Sequence, residues 1–165
     1  MAPYIFVDSD GVVADFEAHY FEYFGHKHNS VSDEDMWKSI NSYPEFFRNL
    51  PLLPGAVENI TNLIKCGWHV EILTACPKSN YAHSALMKKL FFREKFGPDL
   101  RVLPVLGGKN KVLFMHKPGD ILIDDFAKNI KPWQEAGGIG IVHKNWVDTR
   151  KELVDYIHNN LDIVV

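Results

Sequence analysis

Two carboxylates separated by one residue close a short apolar run, where residues 4–7 lead into Asp8-Ser9-Asp10-Gly11. Three more polar groups follow apolar runs in the same way: Thr74, the Gly107-Gly108-Lys109-Asn110-Lys111 stretch, and Asp124-Asp125. If those runs are strands of one parallel sheet, their carboxyl ends open on a common crevice, where ligands bind in such sheets. Acids converging there repel one another strongly unless a cation lies between them. An all-oxygen donor set suits Mg2+ better than zinc or copper. Phosphoryl transfer needs a nucleophile, neutralised phosphoryl oxygens and a proton donor for the leaving group. Asp8 can attack phosphorus to form an aspartyl phosphate. Asp10 can protonate the leaving oxygen and then activate water, while the Thr74 hydroxyl and a lysine hold phosphoryl oxygens. Asp and Gly also favour plain turns, so the pair at 8 and 10 signifies chemistry only in company with the other positions.

The elements that must position these groups alternate. Residues 4–7 read as a buried strand, 13–24 as a helix ending near Gly25, and 33–40 as a helix capped by Ser32 with acids in its first turn. Pro54-Gly55 opens a helix carrying Val57, Ile60, Leu63 and Ile64 at helical spacing, stopped by Gly67. Then come a strand at 68–74, a helix at 81–96 and a strand at 101–106, whose Pro104 predicts an edge position. A short helix at 111–116, a strand at 120–123, a helix at 127–136, a strand at 139–142 and a helix at 147–160 complete the chain. Strands alternating with helices predict an α/β fold, a mostly parallel sheet flanked by helices. Residues 26–53 lack a clean period and are punctuated by Pro44 and Pro51. They read as a small, mainly helical cap inserted after the first strand and helix, with 1–25 and 54–165 forming a Rossmann-like core.

Asp8-Ser9-Asp10-Gly11-Val12-Val13-Ala14-Asp15-Phe16 resembles the first motif of the haloacid dehalogenase superfamily, most closely that of the 5′(3′)-deoxyribonucleotidases. Pro54-Gly55-Ala56, Ile72-Leu73-Thr74-Ala75 and Leu122-Ile123-Asp124-Asp125 resemble later motifs, in the same order and on matching elements. The resemblance implies Asp8 as nucleophile and Asp10 as general acid and base. It implies Mg2+ held by the Asp8 carboxylate, the Asp10 main-chain carbonyl and Asp125, with Asp124 orienting their surroundings. Lys111 fits the motif lysine, with Lys109 in reserve. A nucleotide pocket is implied between core and cap, with Phe16 facing the base and Phe46 and Phe47 completing it. The relatives have Thr-Ser-Pro where this chain has Thr74-Ala75-Cys76-Pro77, so one hydroxyl is lost and Ala75 offers its backbone N–H instead.

The remaining composition narrows the field. The 165 residues are 46% hydrophobic, enough for a core, and their net charge of −3 is scattered. No basic stripe exists to grip long nucleic acid. No run approaches the roughly 18 apolar residues of a membrane span, and the cytoplasm is the expected compartment. Cys66 and Cys76 read as reduced thiols. His26 and His28 read as solvent-exposed, and Gly137-Gly138-Ile139-Gly140 as a helix stop rather than a nucleotide loop. The expected partner is a small phosphate monoester, a nucleotide first, and a homodimer is left open. Competing readings are a phosphatase for another metabolite or for nucleic-acid 3′-phosphates, and a phosphorylation-switched receiver-like binding domain. In the latter the acid pair would end the first strand and the phosphoacceptor a middle one, the reverse of the order here.

Overall fold

A computed structural model describes residues 2–161. Its centre is a five-stranded, wholly parallel sheet in the order β3-β2-β1-β4-β5. The strands are β1 (Ile5–Val7), β2 (Val70–Cys76), β3 (Arg101–Leu106), β4 (Ile121–Asp124) and β5 (Ile139–Val142). β1 lies in the middle, with Val7 level with Ile72 on one side and Ile123 on the other. That register brings the ends of β1, β2 and β4 to one place, which is what the scattered motifs require. Pro104 sits on the edge strand β3, where its missing N–H leaves no gap in the sheet.

Alternation along the strands separates two apolar faces. Ile5, Val7, Ile72, Ile121 and Ile123 point into the larger cluster, with Ile60, Phe91, Phe92, Trp146 and Ile157. These last come from α3 (Ala56–Lys65), α4 (Tyr81–Phe96) and α6 (Trp146–Asn160). Phe6, Leu73, Val105 and Leu122 face the other way, under Ile130 and Trp133 of α5 (Ala127–Glu135). Trp133 is also anchored, its indole N–H donating to the Asp120 carbonyl at 2.9 Å. Asp120 in turn accepts from the backbone N–H groups of Tyr4, His116 and Lys117, which locks the loop entering β4.

Three elements depart from expectation, among them β2, expected at 68–74, which begins and ends two residues later at Val70–Cys76. The first helix, α1 (Phe16–Phe24), starts three residues later than the apolar pattern suggests. The amides of Val12, Val13 and Ala14 all donate to the Ser9 carbonyl, so this stretch is a turn, and Asp15 caps the helix by accepting from Ala18 N at 3.1 Å. The expected helix at 111–116 is a 3-10 helix at Gly108–Phe114.

Residues 26–53 hold a 3-10 turn at His28–Ser30 and α2 (Asp33–Asn41), whose Ser32 cap accepts from Asp35 N at 3.2 Å. Met36, Ile40, Phe46, Phe47 and Leu50 join the larger cluster. Polar contacts to α4 and the turn before it fasten the segment: Arg48 to Glu94 at 2.7 Å, His83 to the Pro44 carbonyl at 2.7 Å, and Asn41 to Ser79 at 3.0 Å. Among the described residues no helix is long and apolar enough to cross a membrane.

Candidate active site

The loop after β1 is fixed from several sides. Asp8 N extends the β1–β4 pairing by donating to the Ile123 carbonyl at 2.9 Å, and Gly11 N closes a turn onto the Ala14 carbonyl. The Trp146 indole N–H reaches the Val12 carbonyl at 2.8 Å, so α6 clamps the loop from behind. Gly11 has a φ of 83°, and a Cβ built there would fall on the Asp125 carboxylate. The glycine therefore permits both the turn and the approach of Asp125. Gly11→Ala is expected to lower stability by roughly 1–3 kcal/mol and kcat/KM by about 100-fold, because Asp125 must move aside. Thermal unfolding and phosphate-release kinetics on the same preparation check both figures.

Four carboxylates meet here. Oxygens of Asp8, Asp124 and Asp125 lie within 4.8 Å of one another, and Asp10 opens on the same cleft. Lys111, buried, donates to Asp8 Oδ1 and Asp124 Oδ2, both at 2.7 Å. Asp124 is otherwise occupied: its Oδ1 accepts from Phe126 N at 2.9 Å and its Oδ2 also accepts from Asn129 at 3.1 Å. Burial raises the Asp8 carboxyl well above the usual carboxylate range; Lys111 opposes the rise, and Asp124, Asp125 and Asp10 add to it. Burial and the Asp124 charge push Asp125 up to about 6. For Lys111 burial alone would act downward, but Asp8 and Asp124 outweigh it and hold the ammonium above the ordinary lysine range. Lys111 bridges Asp8 and Asp124 and Lys88 pairs with Asp10, yet the carboxylates of Asp8, Asp124 and Asp125 still crowd one point. A divalent cation on hard oxygen ligands would relieve that crowding, and Asp125, unlike Asp124, is exposed.

The carboxyl end of β2 carries a feature that motif reading missed. Thr74 is fully buried, and its hydroxyl accepts a hydrogen bond from Lys88 Nζ at 2.9 Å. The same ammonium donates to Asp10 Oδ2 and to the Ala75 carbonyl, each at 2.8 Å. Lys88 lies 14 residues beyond Thr74 in the chain, and the sequence carries little signal for it, because charged and apolar residues are spread all round α4. Ser84, Lys88, Phe91 and Phe92 share the buried stripe of α4, and a lysine in such a stripe requires partners.

A cleft of about 780 Å³ opens above these groups, within the range of small-molecule sites. Ala75, Lys109 and Lys111 line it, together with Phe16, His28, Met36 and Trp37. Phe46 and Phe47 do not reach the cleft. They are buried and back Phe16, with ring centroids 5.8 Å and 6.5 Å from it, because apolar rings in this short insert pack into the core first. His26 and His28 are both half-buried rather than exposed: His28 lies 5.4 Å from the Phe16 ring and His26 hydrogen-bonds Tyr20 at 3.2 Å. Lys109 is exposed, while Lys111 sits between the acids.

The family model described as 5′ nucleotidase, deoxy (pyrimidine), cytosolic type C protein matches residues 2–159. A Bordetella pertussis protein described as "Putative 5'(3')-deoxyribonucleotidase" is 29% identical over 140 residues, covering 73% of each chain. A hydrolase from Pseudomonas syringae superposes with a TM-score of 0.56 at 13% identity, over 98% of this chain and 100% of that one. A Burkholderia xenovorans protein described as a "putative haloacid dehalogenase-like hydrolase" gives 0.52 at 15% identity, over 88% and 84%.

Proposed function

We propose that this chain, which belongs to the cytosolic type C 5′ nucleotidase family of haloacid dehalogenase-type hydrolases, removes phosphate from nucleoside monophosphates through a phosphoaspartyl intermediate on Asp8. The observation that supports this reading best is the convergence of Asp8, Asp10 and Lys111 on one cleft that Phe16 and Trp37 also line. An Asp8 carboxylate oxygen attacks phosphorus, the phosphorus–ester oxygen bond breaks, and Asp10 gives the departing alkoxide its proton. A water molecule then attacks the phosphoaspartyl phosphorus and passes a proton to Asp10, which frees phosphate and restores Asp8. Mg2+ held by the Asp8 and Asp125 carboxylates and the Asp10 carbonyl would neutralise charge on the phosphoryl oxygens. Lys111 makes two of the three hydrogen bonds an ammonium offers, so one N–H remains for a phosphoryl oxygen. Asp124 holds Lys111 and does not need to leave it.

The part of the cleft lined by Phe16 and Trp37 is read as the base site, with α1 supplying Phe16 and residues 26–53, as the cap, supplying Trp37. The preference for deoxyribose rests on the family description and on the Bordetella relative's name. The cytoplasm is the proposed compartment, in keeping with Cys66 and Cys76 as free thiols. The test is phosphate release, with Mg2+, from 5′- and 3′-monophosphates of deoxyribo- and ribonucleosides beside a set of sugar phosphates. Deoxynucleotides are expected to lead in kcat/KM by at least about tenfold, the scale of one well-made pocket contact. A sugar phosphate turned over faster than every nucleotide would overturn the substrate and leave the chemistry standing.

A further inference from the structure

The buried ammonium of Lys88 has a job that the reaction outlined above does not assign. Its three N–H bonds are all used, on Asp10 Oδ2, Thr74 Oγ1 and the Ala75 carbonyl. An ammonium has three donors and no more. Unlike Lys111, Lys88 therefore has no hydrogen bond left for a phosphoryl oxygen, and it does not line the cleft. Its charge lies 4.6 Å from the centre of the Phe47 ring, which closes off the remaining side.

The two oxygens of Asp10 are consequently unlike. Oδ2 is tied to Lys88, whereas Oδ1 is buried without a hydrogen-bond partner among the described residues. A buried carboxylate oxygen left unpaired is costly, and in native sites it commonly marks a group that meets its partner during function. Asp10 nevertheless borders the cleft.

We infer that Lys88 is a positioning residue: it ties the Asp10 carboxylate through Oδ2 to Thr74 and the end of β2, and so holds the acid at the edge of the cleft, where it meets the leaving group and then water. The inference rests on Asp10 acting as acid and base, as proposed above. Lys88 does not contact substrate, so its loss acts on turnover rather than on phosphate binding. It also acts unequally on different esters. A nucleotide leaves as an alkoxide that needs a proton, whereas p-nitrophenolate departs without one.

Lys88→Met, which keeps the unbranched stem and removes the charge, is the first variant. In single-turnover cleavage of a deoxynucleoside 5′-monophosphate it is expected to slow the reaction about 100-fold, with KM changed by no more than about threefold. The burst of p-nitrophenol from p-nitrophenyl phosphate is expected to stay within a few-fold of wild type. Equal losses on the two esters, or a KM raised in step with the fall in kcat, would overturn the inference. Asp10→Asn and the double variant Asp10→Asn/Lys88→Met supply the second measurement, which needs no stable Lys88→Met protein because the double variant leaves no buried carboxylate unpaired. If Lys88 works through Asp10, the double variant cleaves the nucleotide no more slowly than Asp10→Asn alone. Losses that multiply would defeat the positioning role while leaving Asp10 as the acid. Full nucleotide turnover by Asp10→Asn would instead remove the acid–base assignment itself, and the role of Lys88 with it.

Discussion

Asp8→Asn is expected to reduce phosphate release from every ester by at least about 10⁴-fold, the scale on which loss of a covalent nucleophile acts. The uniformity is the diagnostic part. A leaving group that needs no acid escapes the effect of Lys88→Met, but no substrate escapes loss of the atom that attacks phosphorus. The same substitution is expected to leave the thermal midpoint unchanged or slightly raised. Burial and the neighbouring Asp124, Asp125 and Asp10 already disfavour the ionised Asp8 carboxylate, with Lys111 as the countervailing charge. An amide of the same shape relieves that repulsion, and Lys111 keeps Asp124 as its partner at 2.7 Å. Phosphate release and thermal unfolding on one preparation check the pair of outcomes. Acid quenching with phosphate-labelled substrate adds a third, since label should remain on the wild-type chain and be missing from the variant. Retention of even a tenth of the activity would exclude a phosphoaspartyl route.

Much of this arrangement is legible in the sequence because its determinants are local. The run before Asp8, the apolar face of α3 and the glycine after it, and Pro104 on β3 each state their element within a few residues. Parallel strands then carry Asp8, Thr74 and Asp124 to one end of the sheet without further information. What was not legible depends on partners distant in the chain. Val13 looks like the start of a helical face, but its amide and those of its neighbours turn back to Ser9, and the Trp146 indole holds the Val12 carbonyl from 134 residues away. The family resemblance implies Phe46 and Phe47 near the site, yet which ring reaches the cleft is decided by how the 26–53 segment docks on α4. Lys88 belongs to no motif. Nothing in the sequence of α4 sets it apart from Lys89 beside it, and only the fold buries the one and exposes the other.

Lys111→Met is expected to be the most destabilising single substitution at the site, and for a reason opposite to that for Asp8→Asn. It leaves Asp8 and Asp124, both buried, facing each other without the ammonium that bridges them at 2.7 Å on either side. Breaking a buried pair by removing one partner typically costs about 3–5 kcal/mol, more than the pair contributes when intact, because an uncompensated charge stays inside. For a chain of this size that corresponds to a thermal midpoint lower by roughly 6–20 °C. Turnover should fall as well, by about 100-fold or more, since Asp8 loses the group that orients it and the phosphoryl oxygens lose a donor. Activity alone could not separate a disordered site from a missing charge. The double variant Lys111→Met/Asp124→Asn does so, because it removes the fully buried acid along with its counter-charge. Its thermal midpoint should recover by at least half of the loss while its turnover stays low. If the midpoint does not recover, the packing of the Lys111 stem, rather than the charge between two acids, is what holds β4 and the Gly108–Phe114 turn together.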